Sequence, residues 1–206
     1  MDGSPKGQRG RPRTGVREAI LRAATTLLVE EGAGRLTTAE VATRAGVAES
    51  SIFYHFADRI GLLIAIIQAR APEYLAVAEP LVERAGAGAL RPNLVLLLAE
   101  LERFYLDILP MIGAMLADAR LRAEFARRGA ELDAGPHRAL ELVLPYLTAE
   151  RAAGAIRSDA DPPSVALLLA GAAFQRALSR HLAGSPSALL PDYADVVALV
   201  APMIEA

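Results

Sequence analysis

Apolar residues recur at helical intervals along most of this chain. Ile20, Ala24, Leu27 and Leu28 form one stripe of a first helix. Thr14 is placed to cap it, Glu18 falls in its first turn, and Gly32 follows its end. Thr37 and Glu40 stand at capping-box spacing, which starts a short second helix at Thr37 with Val41, Ala42 and Ala45 on its apolar side. Gly46 permits the left-handed turn that ends it. In the helix that follows, Ile52 and Phe56 face one way, toward a core. Glu49, Ser50, Phe53, Tyr54 and His55 are left on the outer and flanking faces. That surface is small, aromatic and hydrogen-bonding, which suits the major groove of DNA.

A longer fourth helix is expected from Arg59 toward Glu83, bent or broken at Pro72 and Pro80. The mid-helix proline reads either as a hinge or as a tolerated kink. A loop over 85–93 leads to a fifth helix, Pro92 to Leu109, with Leu94, Leu98, Leu101, Tyr105 and Ile108 on one stripe. Residues 110–129 read as one or two short helices broken near Pro110 and Gly113. Another helix starts near Pro136 and breaks before Pro145, and Asp161-Pro162 opens the next with an N-cap and a first-position proline. The last two helices are apolar on more than one side. In 162–183, Val165, Leu168, Leu169 and Ala172 make one face; Leu167, Gly171, Phe174, Leu178 and Leu182 make a second. In 191–204, Tyr193, Val197, Val200 and Ile204 make one face, with Val196 and Met203 on another. A surface helix needs a single apolar stripe, so the second face implies contact with another chain.

Composition narrows the class. The chain has 206 residues, 53% of them hydrophobic and 5% aromatic, which favours packed helices in an all-α fold. With no Cys there is no disulfide framework, thiolate metal site or cysteine nucleophile. His55, His137 and His181 are too far apart in sequence to suggest a metal cluster, and no cofactor is implied. No uninterrupted apolar run approaches a membrane span, and the basic N-terminus precedes no signal-peptide core, so a soluble cytoplasmic protein is expected. No catalytic constellation is present: His137 and His181 lack partners at motif spacing, and the 85–89 glycines lack the lysine and strand of a phosphate loop. Net charge is −2, but its distribution is uneven. Residues 1–60 carry nine Lys and Arg against seven Asp and Glu; residues 61–206 carry thirteen against seventeen. The basic excess concentrates in Lys6, Arg9, Arg11, Arg13 and Arg17. Phosphate neutralisation is local, so this patch counts more than the total. Residues 1–13 read as a disordered arm that either enters an A·T-rich minor groove or is an ordinary solubilising tail.

The segments REAILRAATTLLVEEG, LTTAEVATRAGV and IFYHF, followed by Arg59, occur in one order over Val16 to Leu63. In these motifs the chain resembles the DNA-binding domain of the TetR family of bacterial transcriptional regulators. The remainder resembles the family in architecture alone. The resemblance implies a basic arm (1–13), a helix-turn-helix domain (14–58) and an effector-binding and dimerisation domain (59–206). It implies DNA contacts from Arg11, Arg13, Thr37, Thr38, Glu49, Ser50, Ser51, Phe53, Tyr54, His55 and Arg59. Arg59 stands where a phosphate-binding Lys is usual and adds its charge to a helix N-terminus. Three positions depart from the pattern. Ala48 replaces a Ser or Thr cap, and Phe53 replaces a Tyr. Glu49 is acidic on a face that meets DNA, where it either accepts from a cytosine N4 or points at solvent.

The same resemblance implies a pocket in the larger domain. Its candidate lining is Tyr74, Phe104, Tyr105, Ile108, Met111, Met115, Phe125, His137, Tyr146, Phe174 and Gln175, and their apolar character suggests a small hydrophobic effector. The last two helices match the family's four-helix dimer interface, with Leu167, Gly171, Phe174, Leu178, Leu182, Val196, Val200 and Met203 facing a second copy. The expected protein is thus a homodimeric, non-enzymatic regulator of operator DNA, most simply a repressor released by its effector. Two alternatives are an architectural DNA-binding protein without an effector, and a lipid or small-molecule carrier or enzyme that retains a helix-turn-helix.

Overall fold

A computed structural model describes residues 13–132, 135–184 and 189–206. Nearly all of the described chain is helical, with a single isolated antiparallel bridge between Ile156 and Glu205 and no strand among the described residues. The helices are α1 (Arg13–Glu31), α2 (Thr38–Ala45), α3 (Glu49–Phe56), α4 (Arg59–Glu83), α5 (Leu90–Ala117), α6 (Ala119–Glu131), α7 (Leu144–Ala152), α8 (Pro162–Ala183) and α9 (Tyr193–Ile204). Short 3-10 turns occupy Ala33–Arg35 and Pro136–Leu142. The chain divides into two compact units, Met1–Ile66 and Ile67–Ala206, so the division falls inside α4.

Local signals build the first unit as the sequence implies. Thr37 accepts from the Glu40 N–H at 3.2 Å, and Gly46 ends α2 in the left-handed conformation. Ala48 supplies no side-chain cap to α3. Ile20, Ala24, Leu27, Leu28, Leu36, Val41 and Ile52 are fully or almost fully buried, and Arg17 lies over the Phe56 ring at 5.4 Å. Arg44 pairs with Glu30 and, at 3.0 Å, with Glu31, fastening α2 to α1. The junction of α3 and α4 is crowded. Asp58 caps α4 by accepting from the Gly61 N–H at 2.9 Å, and a Cβ at position 61 would lie 1.9 Å from the Phe56 carbonyl oxygen. Only a residue without a side chain fits there. Thr14, expected as the first cap, lies inside the helix that starts at Arg13, and its side chain is outside the described residues.

In the second unit α5 contributes Leu94, Leu97, Leu98 and Leu101 to the core. The stripe of α8 that is buried is built from small residues, Ala166, Ala170, Ala173 and Ala177, with Leu169. Small side chains let helix backbones approach closely, so the interior is filled by the leucines of α5. From α9 come Tyr193, Val197, Ala201 and Ile204, and from the segment around α7 come Leu142, Val143, Tyr146 and Leu147. Two carboxylates are buried in this unit, Glu150, which accepts from the Gly86 N–H at 2.8 Å, and Glu102. Glu102 of α5 is almost fully buried, accepting from the Tyr193 hydroxyl at 2.5 Å, from Arg180 at 3.1 Å and from Arg176 at 3.5 Å. Burial works against its ionisation, but the tyrosine hydrogen bond and the two guanidinium groups outweigh it and hold the carboxyl below its ordinary range.

Three segment expectations are corrected. α4 is one helix through Pro72 and Pro80, and α5 runs from Leu90 to Ala117 through Pro92, Pro110 and Gly113. Pro92 falls in the first turn, where a missing N–H costs nothing. Pro72 and Pro110 each remove one internal bond, but the helix around them carries buried residues, Tyr74 and Ala78 in one case and Leu109 and Met111 in the other. Asp118, not a break at residue 110 or 113, separates α5 from α6, and its carboxylate accepts from the N–H groups of Arg120 and Leu121. Residues Pro136–Leu142 are a 3-10 turn, and α7 begins only at Leu144 with Pro145 in its first turn. Asp161 and Pro162 open α8 as the sequence implies, with Asp161 accepting from the Ser164 N–H.

α4 is the described helix whose length and apolar composition would suffice to cross a membrane. Its most apolar stretch, Leu62 to Ile66, is buried within the protein.

Candidate DNA interface and effector cavity

α2 and α3 meet across a short turn at Gly46, and burial of Ile52 and Phe56 turns the opposite side of α3 outward. Glu49 and Ser50 are exposed at its start, and Phe53 and Tyr54 follow with 50% and 70% of their surface accessible. Large aromatic surface left in solvent is a feature of interaction faces. Tyr54 packs edge-on against His55, with ring centroids 5.0 Å apart. Ser51, His55 and Arg59 are half-buried beside this row. Of the two threonines at the start of α2, Thr37 is exposed and engaged in its own cap, while Thr38 donates to Glu49 Oε1 at 2.6 Å. Sequence reasoning had no signal for that last bond, because it joins two helix starts eleven residues apart. Arg11 and the side chain of Arg13 lie outside the described residues.

The second unit contains an open cavity of about 360 Å³. Its walls are Ile67, Gln68, Ala71, Pro72, Tyr74 and Leu75 of α4, Leu101 and Phe104 of α5, Leu132, and Arg138, Ala139, Glu141 and Leu142 of the 3-10 turn. Tyr74, Leu101, Phe104 and Leu142 are buried; Gln68 and Leu132 are exposed, and Arg138 and Glu141 are half-buried. Apolar side chains therefore form the floor, and the rim mixes the polar Gln68, Arg138 and Glu141 with the exposed Pro72 and Leu132. Tyr74 donates to Asp107 at 2.6 Å, and burial together with that hydrogen bond pushes its phenol well above the ordinary value. Arg138 pairs with Glu141 at 2.8 Å.

Of the sequence candidates for a pocket, the cavity brings together Tyr74 and Phe104, whose rings meet edge-on at 5.1 Å. The structure places the other nine elsewhere. Tyr105 meets Phe174 edge-on, its phenol pushed up to about 12 by burial. Tyr146 is fully buried and accepts from Asn93 at 2.9 Å. Met111 is buried, while Ile108, Met115 and Phe125 are half-buried away from the cavity walls. His137 and Gln175 are exposed, the latter donating to Ser179 at 3.5 Å. The lining residues missed in the sequence include Gln68, Ala71 and Leu75, whose helical spacing with Tyr74 was a usable signal.

On α8 and α9, Leu167, Gly171, Leu182 and Met203 are exposed, joined by Leu168 and Leu199; Phe174, Leu178, Val196 and Val200 are half-buried. No group of three or more His, Asp or Glu that could hold a metal occurs among the described residues.

A helix-turn-helix whose third helix presents an exposed polar and aromatic face, followed by a separate helical unit with a cavity, is the architecture of a DNA-binding regulator. Residues 20–66 match the family model described as bacterial regulatory proteins, tetR family. It is 41% identical over 58 residues to the HTH-type transcriptional repressor BepR of Brucella suis biovar 1 (strain 1330). That match spans 28% of each chain. Among solved structures, a protein assigned to the TetR family from Mesorhizobium loti MAFF303099 superposes with a TM-score of 0.72 at 20% identity, covering 96% of this chain and all of the other. SmeT, the repressor of a Stenotrophomonas maltophilia multidrug efflux pump, solved with triclosan, superposes with a TM-score of 0.65 at 22% identity over 93% of this chain and 92% of its own. At these identities the two structures establish the fold.

Proposed function

We propose that this protein is a cytoplasmic, homodimeric transcriptional repressor that binds operator DNA through α3 and is released by a small hydrophobic effector held in the second unit. The observation that carries the reading is the exposed row Glu49, Ser50, Phe53 and Tyr54 on the helix that follows the Gly46 turn. Tyr54 can donate to a phosphate oxygen, Phe53 can meet a thymine methyl, and Arg59 at the start of α4 adds a cation beside a helix N-terminus. BepR and SmeT are both described as repressors, and SmeT is described in complex with triclosan. The 360 Å³ cavity lies within the usual size range of a small-molecule site. The exposed leucines of α8 and α9 supply a face for a second copy, and two-fold symmetry would present two copies of α3 to successive major grooves.

An effector acts only if it binds the DNA-incompetent state more tightly, and a tenfold loss of operator affinity needs about 1.4 kcal/mol of coupling. Footprinting on DNA upstream of its own gene tests the proposal. Protection of an inverted repeat, with half-sites one turn (roughly 34–36 Å) or a multiple apart, is expected. Arg59→Ala should weaken binding to all sequences and flatten its salt dependence. Uniform coating without sequence preference would instead make it an architectural DNA-binding protein, and no binding to duplex DNA would remove the regulatory reading.

A further inference from the structure

The charges around the cavity are already neutralised from within. Arg138 and Glu141, the charged side chains among its described walls, pair with each other at 2.8 Å. Behind the floor, Asp107 accepts from Tyr74 at 2.6 Å and lies 3.8 Å from Arg70. A ligand carboxylate or ammonium would therefore have to break an existing pair, leaving one of its members facing an apolar site without its partner. Hydrogen-bonding capacity remains at one place. Gln68 lines the rim, and its side-chain amide has no hydrogen bond within the described protein. Its backbone carbonyl is also deprived: the residue four positions on is Pro72, which has no N–H to close the helical bond. Gln68 thus brings a side-chain amide to a cavity whose floor is the apolar Leu101, Phe104 and Leu142.

We propose that the cavity selects an uncharged apolar molecule carrying one hydroxyl group, an aliphatic alcohol or a phenol, which is seated on Gln68. The hydroxyl accepts from or donates to the amide, and the hydrocarbon body covers the leucine and phenylalanine floor. This deepens the reading that the second unit holds an effector, and it rests on that reading only for its biological consequence.

The test uses the full chain and three probes of one length: 1-octanol, octanoate and octylamine, followed by calorimetry and thermal denaturation at neutral pH. Octanol should raise the melting temperature in proportion to ln(1 + [L]/Kd), while the two charged probes bind at least about tenfold more weakly. Gln68→Leu, at an exposed position, should weaken octanol roughly three- to tenfold, the scale of one hydrogen bond. Ala71→Leu, which fills the cavity from its half-exposed wall, should abolish octanol binding; both variants should keep the wild-type circular dichroism. Equal or tighter binding of octanoate or octylamine overturns the proposal. So does octanol binding that ignores both substitutions, or no binding by any probe. Operator affinity is scored separately: octanol that binds through Gln68 yet leaves the operator complex intact upholds the cavity chemistry and refutes release by effector.

Discussion

The Thr38 hydroxyl donates to Glu49 Oε1 at 2.6 Å, tying the first residue of α2 to the first residue of α3. Glu49 is exposed and Thr38 half-buried beside it, so the bond holds one carboxylate oxygen of a solvent-facing side chain. A carboxylate held in one rotamer can discriminate a cytosine N4 donor; a swinging one cannot. Thr38→Val should therefore blur the preference at one base pair in a binding-site selection while changing average affinity little, and Glu49→Gln should shift the same position. The bond is exposed, so the stability loss of Thr38→Val should stay near or below about 1 kcal/mol. Identical selected sequences for wild type and both variants would assign the pair to helix packing alone.

The turn between α3 and α4 has no tolerance at Gly61. A Cβ there would meet the Phe56 carbonyl oxygen at 1.9 Å, a backbone atom that cannot rotate aside. Gly61→Ala improves intrinsic helix propensity but forces α3 and the start of α4 apart, at a cost of at least about 1–3 kcal/mol. The expected result is a lower melting temperature with loss of operator binding, while Gly113→Ala, with open space around it in α5, leaves both unchanged or improved. Equal behaviour of the two variants would show that the turn adjusts freely.

The contrast between well-read and misread segments follows the range of the forces involved. Thr37, Gly46, Asp161 and Pro162 act on their own helix ends, so spacing alone placed them. Pro72 and Pro110 carried an equally local signal, and packing overrode it, because helix continuity keeps Tyr74 and Met111 buried. The cavity was half legible. Phe104 and Tyr105 were both expected in its wall, yet consecutive residues on a helix point about 100° apart. Phe104 faces the cavity and Tyr105 turns to Phe174. The contribution of Arg138 to Leu142 depends on where a 3-10 turn packs, which no periodicity encodes.

Exposed leucines on α8 and α9 give the proposed dimer its most direct test. Phe174 is half-buried and meets Tyr105 edge-on within its own chain, so a charge there would damage the protomer as well as any interface. Leu167 and Leu199 avoid that ambiguity, being 63% and 74% exposed. Wild type should scatter light as a dimer at micromolar concentration, and Leu167→Glu with Leu199→Glu should give monomers of unchanged helicity, since a desolvated unpaired charge is expensive. A monomeric wild type would remove the interface from this face.

Glu102 makes stability depend on pH in a direction that can be worked out. Its carboxyl is held below the ordinary value in the folded protein by Tyr193, Arg180 and Arg176 against the opposing effect of burial. A depressed folded value means the ionised group stabilises the fold above the unfolded value, about 4.3 for a glutamate, and that this contribution is lost as pH falls through the lower folded value. Removing the carboxylate also leaves the buried Tyr193 hydroxyl without its acceptor and takes the counter-charge from Arg176, which keeps the Pro191 carbonyl, and breaking such a pair typically costs on the order of 3 kcal/mol. Glu102→Gln keeps the shape and can still accept from Tyr193, so its loss should be smaller than that of Glu102→Ala. In urea denaturation at neutral pH both variants should unfold earlier than wild type. On acidification below about pH 4.3 the gap between wild type and Glu102→Gln should close, because wild type then loses the charge that the variant never had. A gap that stays constant down to about pH 3.5 would mean the site is held by packing and neutral hydrogen bonds, with the carboxylate charge contributing nothing.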